Sequence, residues 1–212
     1  MVRPHERRRR ADYHTRAGRA RRARTEKRIV TAALGVFAEL GPDAPKIDDF
    51  IRAADVSRGT FYNHFDSVEE LLAATSEWMT RQAIETIENA LRGLDDPALR
   101  VGVGLRLLFA KARTDVMWCR FVSRVWMVGG GELPSRDVDE GLRRGVFSAP
   151  STRVARDLLF GTIREALRRI GQGQVGASYG LEMTEMCLRA LGARPRSVAA
   201  AMRYELPSTV VW

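Results

Sequence analysis

The spacing of the apolar residues is the feature that most constrains the fold of this chain. Between successive glycine- and proline-rich breaks, apolar side chains recur every three or four residues, which is the period of an α-helix rather than of a β-strand. The pattern therefore predicts an all-α fold. The breaks fall near residues 41–45, 93–97, 129–134, 145–150, 171–176 and 192–195.

Capping residues indicate where several helices begin and end. Thr25 is the expected N-cap of a first helix over about 26–40, and Gly41 is suited to end that helix in a left-handed conformation. Ser67 and Glu70 fit a capping box that begins a long helix of about 25 residues. Further helices are predicted near 97–113, 115–128, 136–145, 151–170, 175–191 and 196–203.

The segment DVSRGTFYNHF, residues 55–65, follows a short predicted helix and opens with a turn. Asp55 adopts a left-handed turn conformation at low cost. In the next helix, from about Ser57 to His64, Phe61 and Phe65 lie four residues apart and are predicted to be core. The polar side chains of this helix then point away from the core: Arg58, Thr60, Tyr62, Asn63 and His64.

Such an exposed polar helix fits the major groove of B-DNA, where its first residues read base edges and its flanks hold phosphates. The competing interpretation is that His64 is a metal ligand or a general base. The other histidines are His5 and His14, and the sequence contains no HxxxH, HExxH or CxxC spacing. The one GxSxG match, GASYG at residues 176–180, has no predicted strand before it and is therefore not the strand-to-helix elbow of a nucleophile. We therefore predict no enzyme activity, no metal site and no cofactor.

The net charge of +9 is concentrated at the N-terminus. Residues 1–30 contain 12 Lys plus Arg and 3 acids, which leaves 35 − 12 = 23 basic and 26 − 3 = 23 acidic residues in the remainder. A neutral body with a basic arm favours a polyanionic partner, because each cation that neutralises a phosphate releases counterions. The alternative is an arm that only increases solubility.

The composition and the apolar runs define the broad class of protein. With 212 residues and 45% apolar composition, the chain is long enough to bury a core. Its apolar runs, such as residues 101–110, are shorter than the roughly 18–20 residues of a membrane-spanning helix, and no secretory leader is evident. We therefore expect a cytoplasmic protein. Cys119 and Cys187 lie in apolar periodic segments and are expected to be buried thiols.

The segment from Thr25 to Leu72 resembles the DNA-binding domain of the TetR family of bacterial one-component transcription regulators. The resemblance extends over about 48 positions and is carried by the stretches RIVTAALGVFAELG and IDDFIRAADVSRGTFYNHFDSVEELL. Beyond them, one looser stretch is similar to the region of the family's seventh and eighth helices: GLRRGVFSAPSTRVARDLLFGTIREAL.

The resemblance implies a three-helix helix-turn-helix domain followed by a larger helical domain for ligand binding and dimerisation. It divides the chain into a basic flexible arm (1–24), a DNA-binding domain (25–70) and a ligand-binding and dimerisation domain (71–212). The implied protein is a homodimer that responds to a small-molecule effector and binds a palindromic operator in double-stranded DNA. Such a regulator is more often a repressor than an activator, and it is cytoplasmic and associated with the nucleoid.

The resemblance also assigns roles to individual residues. Lys46, Tyr62 and His64 take phosphate-contacting positions, Arg58 and Thr60 take base-reading positions, and Asn63 suits either role. Asp55 replaces the glycine that is usual in the turn. The full predicted DNA-binding set is Lys46, Ser57, Arg58, Gly59, Thr60, Tyr62, Asn63 and His64.

The ligand site is predicted from aromatic and thioether side chains, which accept flat apolar molecules. The same residues have the spacing of ordinary core, and this alternative stays open. The alternative for the whole chain is a helical module that binds a small molecule or a protein and has only nonspecific DNA affinity. The predicted ligand residues are Met117, Trp118, Phe121, Trp126 and Arg164.

Overall fold

The computed structural model describes the backbone of residues 4–129 and 135–207 and the side chains of residues 18–125 and 135–207. All regular secondary structure in these residues is α-helical, as the apolar spacing predicts. The helices are α1 (Pro4–Leu40), α2 (Ile47–Ala54), α3 (Arg58–Tyr62), α4 (Val68–Ala90), α5 (Pro97–Thr114), α6 (Val116–Gly129), α7 (Arg136–Arg143), α8 (Thr152–Gly171), α9 (Tyr179–Ala190) and α10 (Pro195–Arg203).

The first helix begins at Pro4, so the predicted start near residue 26 is wrong. Thr25 lies inside α1 and does not cap it. The preceding residues are mostly arginine and alanine, which favour helix and supply no reason to stop. The end of α1 is confirmed: Gly41 has φ 88° and donates its N–H to the carbonyl of Phe37 at 2.9 Å.

Contacts divide the chain into two compact units, Met1–Thr75 and Ser76–Trp212, and the boundary falls within α4. In the first unit, α1 and α2 share a core. The rings of Phe37 and Phe50 lie 4.8 Å apart, and both side chains are fully buried together with Ile29. Packed apolar side chains therefore hold α2 against α1.

The start of α4 is close to the predicted capping box. Ser67 Oγ accepts the backbone N–H of Glu70 at 3.1 Å, as predicted. The Glu70 carboxylate accepts the N–H of Asp66 at 2.7 Å, one residue before the position that a regular box uses. Both bonds satisfy backbone donors at the end of the segment that carries the candidate site.

In the second unit, α5 is the central helix. It packs against α7, α9 and α10, while α6 packs along α8. Gly180 permits the close approach of α9 to α5, because a Cβ at this position would lie 2.8 Å from the Cβ of Phe109. The helix bounds predicted for this unit lie within four residues of the observed ones.

A buried ionic cluster joins α4, α5 and α7 in this unit. Arg100 Nε donates to Asp137 Oδ1 at 2.7 Å, and Arg100 Nη2 donates to Glu88 Oε2 at 2.8 Å. Arg100 Nη1 donates to the carbonyl of Leu91 at the end of α4, at 3.0 Å. Burial lowers the pKa of Arg100, but the hydrogen bonds to Asp137 and Glu88 outweigh it, so the pKa lies above its ordinary value.

Both cysteines are buried free thiols, as predicted. Burial raises the pKa of Cys119 and of Cys187 to about 11. The thiols are therefore protonated and unreactive near neutral pH. Within the described residues, no helix combines the length and the apolar character that a membrane span requires.

Candidate nucleic-acid interface

A tight turn joins α2 to α3. Asp55 adopts the predicted left-handed conformation, with φ 50° and ψ 56°. The N–H of Val56 donates to the carbonyl of Ile51 at 3.2 Å, which satisfies a carbonyl at the end of α2. The chain therefore leaves α2 and enters α3 within three residues.

The beginning of α3 is fixed by a serine cap. Ser57 Oγ accepts the N–H of Thr60 at 3.0 Å and lies 2.8 Å from Thr60 Oγ1. The helix ends at Tyr62, so it is shorter than the predicted span from Ser57 to His64. Asn63 is its C-cap, and the polar residues after Tyr62 lie on a turn.

Two phenylalanines hold α3 in place. Phe61 is fully buried and Phe65 is 4% exposed, so the prediction that both are core is confirmed. Their ring centroids lie 6.2 Å apart. Because these rings are fixed in the core, the side chains of Tyr62 and Asn63 between them are held on the outside.

The outward surface of α3 carries half of the predicted DNA-binding residues. Tyr62 is 44% exposed and Thr60 is half-buried. Arg58 forms an ion pair with Asp48 of α2, and both side chains are more than half exposed. Exposed pairs of this kind are weak, so the guanidinium can exchange Asp48 for another partner at little cost. The other exposed members of the set are Lys46, Ser57, Gly59 and Asn63.

His64 differs from the rest of the set because its imidazole is buried. The side chain is 6% exposed, and Nδ1 lies 3.9 Å from Glu26 Oε2 without a hydrogen-bond partner among the described residues. Burial lowers the pKa of His64, the nearby Arg22 lowers it further, and Glu26 opposes both effects. The imidazole is thus mostly neutral at pH 7, and its role as a phosphate contact stays a prediction.

Sequence reasoning missed Arg22. This exposed arginine of α1 donates from Nη2 to the carbonyl of Asn63 at 3.0 Å, at the C-terminal end of α3. Arg22, Glu26, Ile29 and Ala33 follow one another at helical spacing, and this pattern indicates that Arg22 lies on the same helix face as the buried residues. The incorrect helix start at residue 26 hid this signal, because it placed Arg22 in an unstructured arm.

The predicted ligand residues do not share one environment. Trp118 and Phe121 of α6 are 2% and 1% exposed, and Met117 is half-buried. The indole Nε1 of Trp118 is buried and has no acceptor among the described residues. Arg164 is exposed on α8, and the side chain of Trp126 lies outside the described residues.

A surface groove of about 330 Å³ lies between α9 and α10. Glu185, Arg189, Val198 and Met202 are among its lining residues, and it includes none of the predicted ligand residues. In the part of the chain that the structure describes, no group of three His, Cys, Asp or Glu side chains is arranged to hold a metal ion.

A short polar helix, fixed by two buried rings behind a left-handed turn, gives this part of the chain the geometry of a helix-turn-helix. Residues 29–75 match the sequence profile of the bacterial regulatory proteins of the tetR family. The predicted resemblance of this segment to the DNA-binding domain of the TetR family is thereby confirmed.

Two curated relatives match the DNA-binding region. The transcriptional regulator CymR of Pseudomonas putida is 44% identical over 61 residues, which are 29% of this chain and 30% of CymR. The uncharacterized regulator YvdT of Bacillus subtilis (strain 168) is 33% identical over 70 residues, which are 33% of this chain and 36% of YvdT. The match therefore spans only about a third of each relative.

A solved structure extends the similarity to the second unit. The crystal structure of RolR in complex with resorcinol has a TM-score of 0.67 and 27% sequence identity to this chain. The similarity covers 89% of this chain and 98% of RolR. The larger helical domain therefore has the fold of a TetR-family regulator.

Proposed function

We propose that the chain is a ligand-responsive transcriptional repressor that binds a palindromic DNA operator as a homodimer and acts without catalysis. The observation that carries this proposal is the exposed polar surface of α3, with Arg58, Thr60 and Tyr62 held outward over buried Phe61 and Phe65. These residue types provide base readout and phosphate contacts on one rigid support.

The geometry of α3 suggests a division of roles. Arg58 and Thr60 lie near the start of the helix, where side chains enter the major groove, and arginine binds the O6 and N7 atoms of guanine in a bidentate manner. The hydroxyl of Tyr62 and the ammonium of Lys46 then bind phosphates on either side. Two copies related by a twofold axis engage major grooves roughly 34–36 Å apart.

Exposed apolar residues support the homodimer. Seven large apolar side chains among the described residues are exposed, and four of them lie on α8 and α9, which indicates a surface that a second copy covers. These four residues are Val154, Leu158, Leu181 and Met186.

The basic N-terminal segment supports a DNA partner as well. Most arginines of α4 to α9 form ion pairs with neighbouring acids, whereas Arg19, Arg21, Arg24 and Arg28 of α1 are exposed and have no such partner among the described residues. We assign residues 1–24 as a basic arm, 25–70 as the DNA-binding domain and 71–212 as the ligand-binding and dimerisation domain. The protein is then cytoplasmic and associated with the nucleoid.

We further propose that the effector is a small aromatic molecule with an oxygen acceptor. RolR, which is 27% identical, binds resorcinol, a phenol of this kind. In this chain the buried Nε1–H of Trp118 lacks an acceptor among the described residues, and leaving such a donor unsatisfied costs free energy. A ligand oxygen supplies the missing acceptor.

Footprinting of the full chain on the DNA upstream of its own coding sequence tests the proposed regulator. We expect a protected palindrome that is released when the effector is added. Uniform weak coverage of the DNA would instead support a helical module with only nonspecific DNA affinity.

Calorimetry with resorcinol as the probe tests the ligand class. We expect measurable binding to the wild-type chain and about tenfold weaker binding to Trp118→Phe, which keeps an aromatic ring but loses the N–H donor. Equal affinity of the two chains for resorcinol would show that the indole donor takes no part, and an absence of binding to both would exclude this probe as a representative of the effector.

A further inference from the structure

We infer that Arg22 of α1 binds a DNA phosphate beside the C-terminal end of α3, at the place where the imidazole of His64 is shielded. This inference rests on the proposed function, because it adds a contact to the same DNA-binding surface. The contact belongs to α1, which lies outside the helix-turn-helix itself.

The position of Arg22 follows from one long-range hydrogen bond. Its Nη2 donates to the carbonyl of Asn63, 41 residues later in the chain, at 3.0 Å. This carbonyl lies directly after Tyr62, the last residue of α3 and itself 44% exposed. The guanidinium is therefore placed next to the phosphate-contacting end of the recognition helix, on a continuous helix that limits its movement.

The guanidinium of Arg22 keeps donors available for a second partner. Arginine has five N–H donors, and the Asn63 carbonyl is the one acceptor that Arg22 engages among the described residues. The side chain is exposed and forms no ion pair with a described carboxylate. By contrast, Arg58 on the same surface is already paired with Asp48.

His64 cannot supply this contact in the observed conformation. Its side chain is 6% exposed, its Nδ1 lies 3.9 Å from Glu26 Oε2 of α1, and its ring centroid lies 6.4 Å from that of Phe65. The charged groups that act on it are Arg22 and Glu26, both from α1. A neutral, shielded imidazole attracts a phosphate much less than an exposed guanidinium does.

Substitution of neighbouring arginines tests the inference. Arg22→Ala is compared with Arg21→Ala, which removes the same charge from an adjacent exposed residue that has no partner among the described residues. Affinity for the footprinted duplex is measured by fluorescence anisotropy between 50 and 200 mM salt. Binding that depends on phosphate contacts weakens steeply over this range, so the number of contacts can be read from the slope. We expect about a tenfold loss for Arg22→Ala, with the salt slope reduced by about one, and a clearly smaller loss for Arg21→Ala.

Arg22→Gln separates the charge from the hydrogen bond to Asn63. Glutamine retains an N–H₂ donor for this carbonyl but carries no charge. We expect Arg22→Gln to lose affinity as Arg22→Ala does, and Arg22→Lys to recover most of it. Circular dichroism and the urea midpoint show whether each variant folds. If Arg22→Ala does not fold, the comparison of Arg22→Gln with Arg22→Lys shows whether the charge contributes to DNA affinity.

Three results would overturn the inference. The first is an equal loss for Arg22→Ala and Arg21→Ala, which would indicate only general charge attraction. The second is wild-type affinity in Arg22→Gln, which would leave Arg22 a purely structural role. The third is a tenfold loss in His64→Gln together with wild-type binding that strengthens as the pH falls, which would assign the contact to a protonated His64. If the wild-type chain protects no DNA sequence, the proposed function itself fails.

Discussion

Thr60 and Tyr62 lie two residues apart on α3 but differ in their exposure and in their position along the helix. Thr60 is near the start of the helix and half-buried against Ser57, whereas Tyr62 is at its end and 44% exposed. Base contacts carry sequence information and phosphate contacts do not. The two side chains are therefore expected to contribute to specificity and to general affinity, respectively.

Substitutions of these two residues are expected to separate the two contributions. Thr60→Ala should lower affinity for the operator by about 1–3 kcal/mol at one base position and leave binding to random DNA unchanged. Tyr62→Phe should weaken binding to both DNAs alike. Equal effects of the two substitutions on operator and random DNA, measured by anisotropy, would contradict this division.

The direction of the pKa shift of His64 predicts how the stability of the first unit changes with pH. Burial and Arg22 lower the pKa of His64 in the folded chain, so the unfolded chain binds more protons between the two pKa values. The stability that this group contributes is complete above pH about 6.5, the pKa of an unperturbed histidine, and is lost as the pH falls through the lower folded-state pKa.

Urea unfolding between pH 7.5 and 5 checks this prediction. The free energy of unfolding of the wild-type chain should fall on acidification by more than that of His64→Gln, which has no titrating group at this position. A parallel pH dependence in the two chains would show that His64 does not contribute to it.

At the residue scale, the sequence predicted what depends on local spacing. Phe61 and Phe65 are four residues apart, and this spacing was enough to place both in the core. The burial of His64 was not predictable in this way, because the shielding residues belong to α1, and the helix was expected to begin after Arg22. Contacts between residues about 40 positions apart require the tertiary structure.

Among the elements, α4 depends on a buried charge for its position in the second unit. Arg100 binds Glu88 within α4 and the carbonyl of Leu91 at its end, and it also binds Asp137 of α7. If a buried guanidinium loses one of its carboxylate partners, it is still removed from water, but less of the cost of that removal is compensated. The folded state is then destabilised. The cluster therefore ties the end of α4 to α5 and α7.

Two glutamates of α4 provide a matched test of this cluster. Glu88→Gln should lower the free energy of unfolding by about 1–2 kcal/mol, because a charged hydrogen bond to a nearly buried arginine is lost. Glu77→Gln, on the exposed pair with Arg81, should cause little change. If the two variants unfold at the same urea concentration, the cluster does not stabilise the unit.

The accuracy of the predicted helix bounds follows from the strength of the local signals. Most ends of α5 to α10 lie at proline and glycine breaks, which placed them within four residues, whereas the junction of α5 and α6 at Asp115 has no such break. The start of α1 was misplaced because Thr25 resembles a cap, while the arginines and alanines before it continue the helix equally well. Cap-like residues inside a favourable helical sequence do not end it.

For the whole molecule, the dimer is the assembly that the proposed operator geometry requires. Leu158 of α8 is 41% exposed, and Val116 of α6 is 45% exposed. Leu158→Arg should produce a monomer, because a charge in a self-complementary apolar seam is repeated across the twofold axis. Val116→Arg should remain a dimer. Sedimentation velocity distinguishes the two outcomes, and a dimer in both variants would exclude α8 as the seam.

The sequence indicated the architecture of the whole chain but not the content of its ligand site. The resemblance and the helical period were enough to predict two helical domains. Trp118 and Phe121 were recognised as candidates, but the spacing of these residues is the same for core and for a pocket wall. Their side-chain environments become known only from the packing of the helices, as with the Nε1–H of Trp118, which has no acceptor among the described residues.

The most direct test of the central claim, that α3 reads operator sequence in a symmetric pair, is selection of DNA by the full chain from a random duplex pool. We predict enrichment of a palindrome whose half-site centres are separated by about 10–10.5 base pairs or a multiple of this distance. Thr60→Ala should select a less restricted sequence at one position of each half-site. Enrichment of no sequence by the wild-type chain, despite measurable binding to the pool, would contradict the account.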